Sequence, residues 1–422
     1  KAVMSTGANG RVGIRYNVAT GNLTVDSGME LHVWTGKTFT PGGTVTTTAA
    51  STAGNPDGDV HITASSTLSM GTNALSVGGD FNNAGTFSKS SGQTTTFTAT
   101  GSGFTITPNG NNFDSLVFNG VSGGWTMGAA ATTDANLTIT NGTLIGPSST
   151  LSVAGDFSNS GTYTHNSGTV TMSGTSKNIT GGSATTFNNL TETGSATTGA
   201  GGGDVTVAAA LNVSDTKSLT ISSGRLVTLS ANSGTTLNLN TSGTVTGSGT
   251  LVYQNSATTV TTSGTISSAF QFDVVNGNET IPSRTFGGAV VGKNTTGSAR
   301  TLLFGASVTP TFYGGLDLQT SGAGTLLLDG TTNNPTTVTV TGNFTTSSVS
   351  GAVTVSSGSG NWTVAGNVNL ASATIINGSN STLTLTGSGA TLALPSKGYN
   401  SIVIQGKNHA TTDFTPLHHL TI

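Results

Sequence analysis

A thirteen-residue segment of this chain occurs twice. Leu75 to Phe87, LSVGGDFNNAGTF, matches Leu151 to Tyr163, LSVAGDFSNSGTY, at an offset of 76 with nine identical positions. Biased composition accounts for shared Gly and Thr, but hardly for Asp80 matching Asp156 and Phe81 matching Phe157. A second series runs from Phe113 to Phe187, at an offset of 74, and returns as YNSIVIQG at Tyr399. A third joins Leu137 to Leu211, again 74 apart. Self-similarity at a fixed period is the signature of a repeat architecture and overrides readings by independent domain. A shorter echo sets Phe344 against Val368 at an offset of 24, so each long repeat of 74 to 76 reads as three coils of 24 to 25.

Between the anchors, apolar side chains recur at every second position, as in Leu137, Ile139, Leu219 and Ile221, with Thr in between. That alternation, with β-branched residues and Ser-Gly, Asn-Gly and Gly-Gly breaks, predicts short half-buried strands of roughly four to six residues. No stripe of 3.6-residue period lasts three turns, so helices are not expected. One coil cannot bury its apolar face alone, whereas stacked coils make a continuous interior. The expected fold class is all-β, a parallel β-solenoid or β-helix. About 17 coils at roughly 4.8 Å would make a rod on the order of 80 Å long. The competing reading, a string of immunoglobulin-like sandwiches, predicts linkers about every 100 residues. Nine Pro, unclustered, supply none.

Charged residues make up 7% of the 422, against roughly 25% in typical soluble proteins. Stacking accounts for this: like over like, Thr, Ser and Asn form ladders where Lys or Glu would repel. The net charge of −3 and 13 scattered Lys and Arg give no basic stripe, which argues against nucleic acid as a partner. The absence of Cys excludes disulfides, thiol chemistry and Cys-based zinc sites. No apolar run approaches the 18 or so residues of a membrane span. The chain opens at Lys1 and carries no signal peptide, which suits a processed, trimmed or recombinant chain.

Residues 1–65 lack the anchors and hold more charge, including Arg11, Glu30, Asp57 and Asp59. They are expected to be N-terminal coils that serve as a cap or docking face, with 66–422 a continuous solenoid. The chain stops at Leu420, Thr421 and Ile422, which correspond to Leu137 to Ile139 inside a repeat. An open solenoid end offers unpaired N–H and C=O groups, so either the natural polypeptide continues or the end docks onto a neighbour, and head-to-tail self-association is expected.

The GDFxNxGTF motif, followed by TVTMSGT and FNNLT, resembles large repetitive exported bacterial proteins of the filamentous-haemagglutinin-like adhesin and autotransporter-passenger type. The resemblance covers most of residues 66–422. It implies cell-surface or secreted localisation and a role in adhesion or fibre formation, with surface glycans as further partners.

Parallel β-helices also carry polysaccharide lyases and hydrolases, which need clustered carboxylates. Asp80 and Asp156 are expected at one phase three coils apart, too far for a pair, and read as turn-capping residues. Asn55, Asp57 and Asp59 have alternate spacing that can hold Ca²⁺, but read better as a surface turn. His32, His61, His165 and His409 look isolated, and the adjacent His418 and His419 point to opposite faces of a strand. Trp34, Trp125 and Trp362 fit core packing better than sugar stacking. The sequons at Asn136, Asn189, Asn343 and Asn361 follow from composition. No catalytic, cofactor or metal residue is assigned and no enzyme activity is expected. A carbohydrate-binding or carbohydrate-active β-helix, such as a phage tail-spike region, stands as the alternative.

Overall fold

The computed structural model describes residues 6–7, 11–14, 18–54, 56–199, 201–230, 236–254, 263–275, 277–376, 381–395, 401–404, 410–411 and 419–421. Among these every regular element is a β-strand, most of them two to five residues long. The chain forms two compact units, Lys1–Thr206 and Val207–Ile422. Each is a parallel β-solenoid, and over the chain as a whole a turn takes about 21 residues.

In the first unit a turn has three faces. Leu75–Val77, Phe81–Asn83 and Thr86–Lys89 form one turn, and Thr94–Phe97 then returns to the first face. On that face Leu75 lies beside Thr95, followed by Leu116, Leu137, Phe157 and Ile179, the numbering advancing by 20 to 22 at each step. The second face carries Val60, Phe81, Ile106 and Met127. The third carries Ala131, Leu151, Val170 and Leu190. Parallel pairing is present within residues 1–65 as well, where Arg11–Ile14, Glu30–Val33 and Val60–Ile62 stack in turn. Thr6–Gly7 folds back antiparallel on Arg11–Ile14, while the other pairings described are parallel.

The turn is therefore shorter than the 24 to 25 expected, and the long repeat is not three coils. Leu75 sits on the first face and its match Leu151 on the third. Phe81 sits on the second and Phe157 on the first. The motif moves back one face per repeat, so the long offset spans eleven faces. Asp80 and Asp156, next to Phe81 and Phe157, consequently lie at different phases. Wider turns do occur in the second unit, where the step is 26 from Val290 to Leu316, 28 on to Phe344 and 24 on to Val368. The echo between Phe344 and Val368 is one such turn.

Alternation fixes which side chains enter the interior. Thr94–Phe97 buries Thr95 and Phe97, and Thr337–Val340 buries Val338 and Val340. Aromatic rings stack along the columns: Phe97 on Phe118 at 5.3 Å in the first unit, Phe286 on Phe312 at 5.5 Å in the second. Trp125 and Trp362 are fully buried, in line with their reading as core. Corners are tight. Gly142 has φ +79°, and a Cβ there would come 2.5 Å from the Gly123 carbonyl oxygen, so a side chain would force the backbones of adjacent turns apart.

Phe118 is wholly buried beside Phe97 and Trp125, whereas Val121 on the same strand is 69% exposed. Phe118→Ala is expected to cost about 3–5 kcal/mol and Val121→Thr less than about 0.5 kcal/mol, read as urea midpoints.

Candidate functional site

The polar side chains at the corners reach from one turn to the next. Asp59 Oδ1 accepts from the Asp80 amide at 2.7 Å, and Asp80 Oδ1 accepts from the Thr105 amide at 2.6 Å. Asn136 does the same for Asp156 and Asp156 for Asn178, at 2.9 and 2.8 Å. In the second unit Asn343 caps the Asn367 amide and Asn367 the Thr391 amide. Each carbonyl or carboxylate oxygen satisfies a backbone N–H that the corner leaves outside the sheet ladder. The turn-capping role read for Asp80 and Asp156 is what the geometry provides. The side-chain oxygens of the sequon residues Asn136 and Asn343 are used in the same way.

Asn55 lies outside the described residues, as do His409 and His418, and His419 is described only as part of the strand His419–Thr421. Asp57 and Asp59 are separately engaged, since Asp57 Oδ1 accepts from the Gly28 amide at 2.6 Å. The Asp59 carboxyl is pushed up to about 7 by burial, reinforced by the charges of Asp80, Glu30 and Asp57.

The stacking also unites residues that look isolated in the sequence. His32 and His61 are register partners on the adjacent strands Glu30–Val33 and Val60–Ile62. Leu31, Val33, Val60 and Ile62 fill the interior, so both imidazoles project from the opposite side of the sheet. Their rings are 4.7 Å apart, and the Trp34 ring also lies 4.7 Å from that of His32. His32 Nδ1 is 2.8 Å from Glu30 Oε1, a contact in which the ring N–H donates to the carboxylate. One ligand atom from each of Glu30, His32 and His61 falls within 4.8 Å of the others. The signal that could have found this cluster is two His at one phase in successive turns, which a period of 24 to 25 does not align.

Two further acids sit inside the stacks. Glu192 is fully buried, neither carboxyl oxygen has a hydrogen-bond partner, and its carboxyl is pushed up to about 8 by desolvation. Burial and the charge of Asp273 push Glu279 up to about 10. Both side chains are buried, and burial favours the protonated form of each.

In the second unit Ser263, Thr265, Ser283, Arg284, Thr285 and Tyr313 line an open groove. Tyr313 is 55% exposed, and the Arg284 guanidinium donates to the Gly264 carbonyl oxygen.

Comparison with protein-family models, with curated proteins and with solved structures found no match to the chain.

The buried acids make stability pH-dependent. The folded-state value of Glu192 lies above its ordinary 4.5, so at neutral pH the native chain holds a proton that the unfolded chain has released. Stability from this group is fully present below about pH 4.5 and is lost as pH rises toward about 8. Urea unfolding should show a loss on the order of a few kcal/mol across that window. Glu192→Gln should shrink the loss, and an unchanged slope would refute the assignment.

Proposed function

We propose that the chain is a structural component of an extracellular fibre or surface adhesin that self-associates end to end. The observation that carries this reading is the uncharged ladder on the outside of a parallel stack. Asn119 and Asn141 are register partners, joined by an amide hydrogen bond of 2.8 Å, and Asn212 and Asn238 by one of 2.7 Å. Such a surface repeats along the stacking direction and carries little charge to oppose addition of another copy. A terminal turn of any parallel stack presents backbone donors and acceptors that a second chain can pair. Among the described acids, Asp80 and Asp156 are spent on corner amides, and Glu192 and Glu279 are sealed inside. The resemblance to repetitive exported adhesins agrees with this reading and extends it to the bacterial cell surface.

A second reading, carbohydrate binding, is favoured by the groove around Tyr313. An exposed aromatic face among hydroxyls offers a sugar ring both stacking and hydrogen bonds. If this groove holds glycans, Tyr313→Ala abolishes signal on a polysaccharide array while the thermal transition stays unchanged.

For the fibre reading, negative-stain images of the full chain at rising concentration should show filaments whose mean length grows with concentration. Monodisperse particles at every concentration would overturn self-association.

A further inference from the structure

We propose that Glu30, His32 and His61 form a binding site for a divalent transition-metal ion of the zinc class, clipping two successive turns of the first unit. The inference stands apart from the fibre reading and rests on three observations.

The first is donor chemistry. Two imidazoles and a carboxylate are the ligand types that zinc takes in sites keeping an open position, with bonds of about 2.0–2.2 Å. One donor atom from each of the three residues lies within 4.8 Å of the others. A single ion bridges nearly that span, and rotation of the half-buried His61 closes the rest.

The second is an orphaned atom. His32 is 3% exposed, and its Nε2 has no hydrogen-bond partner although its Nδ1 contacts Glu30. A buried polar atom without a partner is destabilising unless something satisfies it. With Nδ1–H directed to Glu30, Nε2 presents a bare lone pair, the form in which imidazole ligates metal. A carboxylate behind an imidazole fixes its tautomer and ring orientation, so Glu30 holds His32 in the ligating form before the ion enters.

The third is the surrounding charge. Asp80, Glu30 and Asp57 each act electrostatically on Asp59, and a dication beside Glu30 relieves that crowding of like charge. The half-buried His61 leaves the ion a route from solvent.

Clipping follows from topology. Glu30 and His32 belong to one turn and His61 to the next, so an ion held by all three joins two adjacent strands of the stack.

The test uses the full chain stripped with EDTA and titrated with Zn²⁺ by calorimetry, with thermal unfolding followed in parallel. One equivalent of Zn²⁺ should bind and raise the transition temperature. His61→Gln should weaken that binding at least about tenfold and abolish the thermal shift, while His165→Gln should leave both unchanged. X-ray absorption at the zinc edge should report imidazole nitrogen in the first coordination sphere. If His61→Gln disturbs the far-ultraviolet circular dichroism, the ¹⁵N signals of the wild-type histidines decide: Nε2 of His32 must shift on adding Zn²⁺. No binding, binding that survives His61→Gln in a folded chain, or an unmoved His32 signal would each overturn the proposal.

Discussion

Parallel strands in register, one turn upon the next, are the constraint on which everything else in this protein depends. A residue in such a stack has as its nearest neighbours the residues at the same phase above and below, at the spacing of about 4.8 Å between hydrogen-bonded strands. Any side chain that repels its own kind is disfavoured, and any that bonds or packs with its own kind is reinforced. Phe97 over Phe118, Phe286 over Phe312 and Asn119 over Asn141 are three expressions of that rule, two in the interior and one outside. The scarcity of charge in the sequence is the same rule seen in composition.

Corners are the places where the ladder fails, and there the sequence spends its Asx residues. A strand of three or four residues leaves backbone amides unpaired at each bend, and burial would make each of them costly. Asp and Asn reach across to the following turn and accept those amides, so a carboxylate that could serve chemistry serves continuity. Some corners leave no room even for a methyl group, as at Gly142, where the backbone is left-handed and a Cβ would press on the Gly123 carbonyl oxygen.

The same stacking makes sites out of residues far apart in the chain. His32 and His61 are distant in sequence and become register partners because the intervening turn is one of the longer ones. Motif spacing could not reveal them, since the separation of two ligands equals the length of whatever turn lies between, and turn length varies from place to place. Asp59 is drawn into the charge cluster of Glu30 and Asp80 by the same mechanism.

How much is legible in the residues can be judged from the two periods. Alternation of apolar and polar positions, as in Leu137 to Ile139, identifies strands and their inward faces, because side chains point to alternate sides of any strand whatever lies beyond it. The near-identity of Leu75–Phe87 and Leu151–Tyr163 establishes a repeat. Its meaning is hidden in one dimension, where eleven faces of similar length look the same as three coils of 24 to 25. Sequence alone therefore determined the strand content, the low-charge surface and the turn-capping role of Asp80 and Asp156. Tertiary structure alone decided which residues share a column, and so the length of a turn, the pairing of His32 with His61 and the burial of Glu192. Phase along the stack is a sum over every preceding corner, and each corner's length is set by how its backbone packs on the turn below.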